Sequence, residues 1–195
     1  MTHQLINLFP TLVTRTSAFL NEEQCAEVFE YLKKVKMYPH GTVQGGKSSH
    51  KAKGEDIFND IANTIKSCMN IRYEVLDALN KYSVATGIVY TDISNSWANI
   101  QDEGSTLAVH THPLSALSGA LYINVDEHSS KLSFYNPNPF VTFTQHSSTG
   151  SDYVYDSYWL NLNKGDLIIF PSWLRHGSYG VNKTKDRTVI SFNAW

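Results

Sequence analysis

The residues of this chain whose types and spacing could do chemistry are His110-Thr111-His112, a lone His176, and Arg187 eleven residues after it. Side chains alternate faces along a strand, so the two histidines of an H-x-H triplet project from one side and can grip one ion. A third imidazole delivered from a distant strand completes a facial set of ligands and leaves the opposite side open to substrate and oxygen. A guanidinium in the same pocket could pair bidentately with a carboxylate. An H-x-H triplet is weak evidence alone, because eight histidines in 195 residues sometimes fall two apart by chance.

Elements able to position these residues follow Lys81. Short β-rich segments at 87–90, 96–100, 106–110, 118–125, 131–135, 167–170 and 188–192 alternate with turn residues. That spacing suits a jelly roll, in which two facing sheets close around a pocket. On the last of these strands alternation turns Arg187, Val189 and Ser191 inward, and on 118–125 it turns Ser118, Ala120 and Tyr122 inward. The N-terminal part reads as helical. Residues 5–19, interrupted by Pro10, suit an edge strand or two extended pieces. Asn21 is a good N-cap with Gln24 three residues on, close to a capping box, ahead of a stripe of Cys25, Val28, Phe29 and Leu32. The glycine-containing run 39–55 reads as a loop. A second helix begins near Asp56, with Ile57, Ile61, Ile65, Cys68 and Met69 in period, and continues or restarts through Val75, Leu76 and Leu79. Residues 136–158, polar yet aromatic, are placed along a substrate groove. The expected architecture is mainly β, one domain over 1–195, with helices in about 20–80 buttressing a jelly-roll core over about 87–195.

A net charge of −2 with no basic block gives no clear nucleic-acid footprint. No run of eighteen apolar residues spans a membrane, and no charged segment followed by an apolar stretch opens the chain, so a cytoplasmic protein is expected. Cys25 and Cys68 lie in helical patterns, where a thiol serves as a small buried hydrophobe.

The blocks SWANIQDEGSTLAVHTHPLSALSGALYINV, KLSFYNP, KGDLIIFPSWLRHGSYG and RTVISFNAW together resemble the 2-oxoglutarate/Fe(II)-dependent oxygenases of bacteria and phages, relatives of the prolyl hydroxylases. The resemblance runs from Trp97 to the end and, more loosely, over NLFPT. It implies a double-stranded β-helix that binds Fe(II) and 2-oxoglutarate as cosubstrate, activates O2, and acts on a small-molecule or peptide substrate with release of succinate and CO2. It also places His110, His112 and His176 at the family's metal-ligand positions and implies Arg187 as the partner of the distal carboxylate of 2-oxoglutarate. Tyr122 matches a tyrosine that hydrogen-bonds the same carboxylate, and Asn99 and Ser191 could hold cosubstrate oxygens. Trp97 and Trp173 are read as packing residues.

The family pattern has H-x-D or H-x-E, and His112 stands where the carboxylate belongs. A neutral imidazole leaves the metal more electropositive and raises its affinity for anionic ligands. Three histidines suit zinc as well as iron. A carboxylate from Asp102 or Glu103, with His112 behind it, is the other arrangement open to these residues. Cupin spacing is also present, in Gly104 ahead of H-x-H and in Gly165, Pro171 and His176, but Ala116 and Leu117 occupy the place of the cupin glutamate. The alternatives are therefore a three-His cupin-type dioxygenase and a non-catalytic jelly-roll binding protein, and pairing of two copies through edge strands is compatible with any of them.

Overall fold

The computed structural model describes residues 4, 9–50, 56–138, 140 and 155–195. Among these residues ten strands and three α-helices run β1 (Thr14–Thr16), α1 (Glu22–Leu32), β2 (Tyr38–His40), β3 (Val43–Ser48), α2 (Ile57–Thr64), α3 (Ile71–Thr86), β4 (Ile93–Leu107), β5 (Leu117–Asn124), β6 (Lys131–Tyr135), β7 (Ser157–Leu160), β8 (Leu167–Pro171), β9 (His176–Tyr179) and β10 (Arg187–Ala194). They form a seven-stranded sheet in the order β1-β8-β5-β10-β4-β3-β2 and a three-stranded sheet β7-β6-β9, with every pairing antiparallel. This is the double-stranded β-helix, with helices on the outside of the larger sheet.

Alternation divides that sheet into two faces. Ala98 of β4, Leu117, Leu121 and Ile123 of β5, Leu167 and Ile169 of β8, and Ile190, Phe192 and Ala194 of β10 join the helices in one apolar cluster. Their neighbours Trp97, Asn99, Gln101, Ala120, Tyr122, Phe170, Arg187, Val189 and Ser191 line a cavity on the other side. Helix α1 lies on β5 and α2 on β4. Asn21 accepts from the Gln24 backbone N–H while the Gln24 side chain accepts from Asn21, which satisfies two end donors of α1 reciprocally. Cys25 and Cys68 are both buried and free.

Strands β5, β6, β8 and β10 fall where alternation and β-branched composition put them. Elsewhere the expectations need correction. Residues 38–48 form the β2–β3 hairpin instead of a loop, and β3 pairs with β4 from Val43↔Leu107 to Ser48↔Asn99. The segments 96–100 and 106–110 belong to one long strand that ends at Leu107, short of His110. Residues 87–90 form no strand: Ile88 and Tyr90 pack against the core, and the Tyr90 hydroxyl donates to the Leu76 carbonyl and Asn80 Oδ1. The second helix breaks at Ile65, whose backbone is extended, before a 3-10 turn at Lys66–Cys68, and Met69 is 62% exposed instead of on the stripe. Most of the proposed groove segment 136–158 lies outside the described residues, but its end contributes to β7.

Candidate active site

The H-x-H triplet sits just past the end of β4, where two backbone registrations hold it in place. His110 N–H donates to the His176 carbonyl and His176 N–H to the His110 carbonyl, at 2.9 and 3.0 Å, and His112 N–H reaches the Ser172 carbonyl at 3.0 Å. Gly177 makes this approach feasible, because a Cβ there would lie 3.0 Å from the Leu107 carbonyl and 3.1 Å from Val109 Cα. The three rings consequently converge, with centroids 4.9 Å apart for His110–His112, 4.4 Å for His110–His176 and 5.0 Å for His112–His176.

Their tautomers favour a metal. His110 Nδ1 lies 2.8 Å from the Ala108 carbonyl and His176 Nδ1 2.9 Å from the Leu174 carbonyl. A carbonyl only accepts, so each Nδ1 carries the proton and each Nε2 presents its lone pair. His112 Nε2 stands 3.2 Å from His176 Nε2, and one ligand nitrogen from each of the three rings lies within 4.8 Å of the others. Burial, followed by the proximity of His176 and His110, pushes His112 down to about 3, and burial pushes His176 down to about 4. The cluster is thus neutral at physiological pH and offers nitrogen donors to a divalent ion. Among the described residues no carboxylate joins this cluster, and Asp102 and Glu103 are exposed in the turn of β4, so neither replaces His112.

Facing the histidines, a cavity of about 310 Å³ extends over the sheet to Arg187. Arg187 is 7% exposed, and among the described residues no carboxylate pairs with it, so it is not the surface ion-pair residue its neighbour Asp186 could suggest. Its Nη1 donates to Gln101 Oε1, and its guanidinium lies 5.5 Å from the Tyr122 ring centroid. Burial raises the Tyr122 pKa, partly offset by the adjacent guanidinium, so the phenol remains a hydrogen-bond donor. A buried cation with no anion beside it is costly to desolvate unless a ligand supplies one.

Asn99 Nδ2 donates to Ser191 Oγ at 3.1 Å, and both line the cavity while Asn99 Oδ1 remains unpartnered. Trp97 is buried as expected, and its ring lies 6.1 Å from that of His112. Trp173 is instead 53% exposed and packs in no core. Among the cavity residues that sequence reasoning missed are Gln101, His40 and His50. His50 Nδ1 is buried without a partner, and its ring lies 4.6 Å from Trp97 and 5.5 Å from His40. The two histidines were hidden in a run read as loop; Gln101 could have been found by extending the alternation from Trp97 and Asn99.

The sequence profile of the family described as "Putative 2OG-Fe(II) oxygenase" matches residues 95–193, from β4 into β10. No curated protein sequence matches the chain. Among solved structures, a Pseudomonas putida prolyl-4-hydroxylase is similar with a TM-score of 0.64 at 12% identity, over 94% of this chain and 92% of its own. HygX from Streptomyces hygroscopicus, solved with nickel, 2-oxoglutarate and hygromycin B bound, gives 0.62 at 10% identity over 94% and 82%. A Trichoplax adhaerens prolyl hydroxylase in complex with a hypoxia inducible factor peptide fragment gives 0.60 at 11% over 94% and 83%. At these identities the likeness is one of fold.

Proposed function

Because this chain belongs to the 2OG-Fe(II) oxygenase family, whose profile spans more than half of it, we propose that His110, His112 and His176 hold its iron and that Arg187, with Tyr122, takes the distal carboxylate of 2-oxoglutarate. The protein is a 2-oxoglutarate- and Fe(II)-dependent oxygenase: bound iron and cosubstrate couple the reduction of O2 to oxidation of the substrate, with release of succinate and CO2. The protein's own part is to bind, orient and exclude water. His110 and His176 are aimed by their Nδ1–H bonds to carbonyls, and such outer bonds fix ring orientation and raise ligand basicity. Three neutral imidazoles leave the ion's charge to be balanced by the dianionic cosubstrate, which supports a site selective for an anionic chelator.

The observation that carries this reading is the buried Arg187, without a carboxylate partner among the described residues, in the same cavity as the three converging histidines. A three-His cupin-type dioxygenase would leave that cation unused. Asn99 and Ser191 complete the proposed cosubstrate wall. For substrate we propose a small molecule or a peptide side chain. This follows the kinds of ligand in the titles of the HygX and Trichoplax structures, and a cavity of about 310 Å³ shared with 2-oxoglutarate leaves room for only a modest group. Titrating 2-oxoglutarate into the Fe(II)-loaded protein without oxygen should give a saturable charge-transfer absorbance. Arg187→Lys should weaken the cosubstrate by about one to two decades, because the ammonium keeps the charge and loses the bidentate fork. A parent protein with no saturable binding at millimolar cosubstrate would defeat the assignment of the clamp.

A further inference from the structure

At the deep end of the cavity, one hydrogen bond has a direction dictated by chemistry. Arginine has donors only, so the Gln101 atom that meets Arg187 Nη1 is the carbonyl Oε1, and the amide Nε2 points elsewhere. That Nε2 is buried and has no partner, and neither does Arg187 Nε. Gln101 is 3% exposed and stands directly opposite Arg187 in the β4–β10 ladder. On its other flank β3 presses close at Gly46, where a Cβ would meet the Ile100 carbonyl at 2.8 Å and Gln101 Cα at 3.3 Å. Both side chains line the cavity, whose lining contains no acid among the described residues, and each keeps a buried N–H donor without a partner. Burying donors without acceptors is unfavourable, and an acceptor-rich anion would satisfy them.

We propose that Gln101 is a cosubstrate-binding residue: its Oε1 fixes the Arg187 fork without neutralising it, and its Nε2 donates to the distal carboxylate of 2-oxoglutarate. The proposal rests on the Arg187 clamp described above and adds the reason for an amide at this position. A glutamate of the same shape would also hold the guanidinium, but it would pair with it as an ion, consume the charge that attracts the cosubstrate, and oppose the incoming carboxylate. A neutral acceptor leaves the cation available.

The test compares Gln101→Glu and Gln101→Met with the parent and with Arg187→Lys. 2-Oxoglutarate binding to each Fe(II)-loaded protein is measured by anaerobic calorimetry, and thermal unfolding is measured in the absence of cosubstrate. Gln101→Glu should weaken 2-oxoglutarate by more than about a hundredfold while unfolding at or above the parent's temperature, since it gains a buried ion pair. Gln101→Met, which keeps the length and loses both hydrogen bonds, should weaken binding by about tenfold. Parent-like binding by both Gln101 variants, with Arg187→Lys impaired, would overturn the role of Gln101 and leave the clamp standing. Loss of stability and of affinity together in Gln101→Glu would also overturn it, by making the residue structural. Absence of binding in the parent would remove the clamp and this inference with it.

Discussion

Along β10, Ile190, Phe192 and Ala194 face the helices and are at most 1% exposed, while Arg187, Val189 and Ser191, one position over, face the cavity. The same division runs through β5, with Leu121 and Ile123 on one side and Ala120 and Tyr122 on the other. Packing partners fill the helix face: Phe192 meets Phe58 edge-on at 5.5 Å, and a Cβ on Gly119 would lie 2.2 Å from the Phe192 ring. Unpartnered polar atoms gather on the cavity face, at Asn99 Oδ1, Gln101 Nε2 and Arg187 Nε. One sheet thus holds the fold with one face and keeps reactive, unsatisfied groups on the other, and the burial on the helix side offsets the penalty on the cavity side.

The largest effect expected from this contrast is on the helix face. Phe192→Ala should lower stability by about 3–5 kcal/mol, the range for truncating a buried aromatic that neighbours cannot fully replace. Denaturant unfolding measures it. A loss under about 1 kcal/mol would mean that the helix layer collapses into the space, and that this face is less tightly specified than its packing implies.

How much of each face could be read from the residues differs for the same reason. Helix-face residues are legible because apolar periodicity records burial: the α1 stripe and β5, β8 and β10 follow from it. The three converging histidines and Arg187 are legible because few residue types do the chemistry proposed for them. The β2–β3 hairpin was not, since VQGGKS has no apolar alternation, and its pairing is held by backbone bonds to β4, which a sequence does not display. Gln101 was lost because IQDEG reads as a turn, whereas β4 carries its ladder to both β10 and β3 through Gln101 before Gly104 bends the strand. His40 and His50 come to the cavity only through that hairpin.

On the cavity face the expected sign reverses. Arg187→Met should raise stability in the absence of cosubstrate, because the cost of burying a cation with no anion beside it exceeds that of leaving Gln101 Oε1 without its donor. The same change should abolish measurable 2-oxoglutarate binding. Paired unfolding and binding measurements decide it: a destabilised variant would show that the guanidinium bonded to Gln101 holds the fold, which would break the division between the faces.

A pH dependence follows from the histidines. His176 is held at about 4 in the folded chain by burial, against an unfolded value near 6.5, so between these values the unfolded state binds the extra proton. Stability is complete above about pH 7 and falls as pH drops, by roughly 1–2 kcal/mol from this residue between pH 6.5 and 5. His112, pushed down to about 3, acts in the same direction. Urea unfolding of metal-free protein from pH 7 to pH 5 should show the slope, and His176→Ala should flatten it. An unchanged slope in that variant would place the proton uptake elsewhere.

The smallest expected change returns to the helix face. Asn21→Ala removes the side-chain oxygen that accepts from the Gln24 backbone N–H and leaves only the bond from the backbone N–H of residue 21 to the Gln24 side chain. Loss of such a cap typically destabilises by about 1 kcal/mol. Helix α1 lies on β5, and β5 carries Tyr122 on its opposite face, so this substitution also asks whether a disturbance crosses the sheet. Phe192, Ile190 and Leu121 are close-packed between the helices and the cavity wall, and the antiparallel ladder from β8 through β5 to β10 fixes the spacing of that wall independently of α1. Cosubstrate affinity should therefore stay within about twofold of the parent, less than about 0.5 kcal/mol, as for sites without shared partners. Unfolding and 2-oxoglutarate titration on the same preparation measure both. A cap variant that lost tenfold in affinity would show that Tyr122 is positioned through β5 by the helix layer, and the two faces would then be one coupled unit.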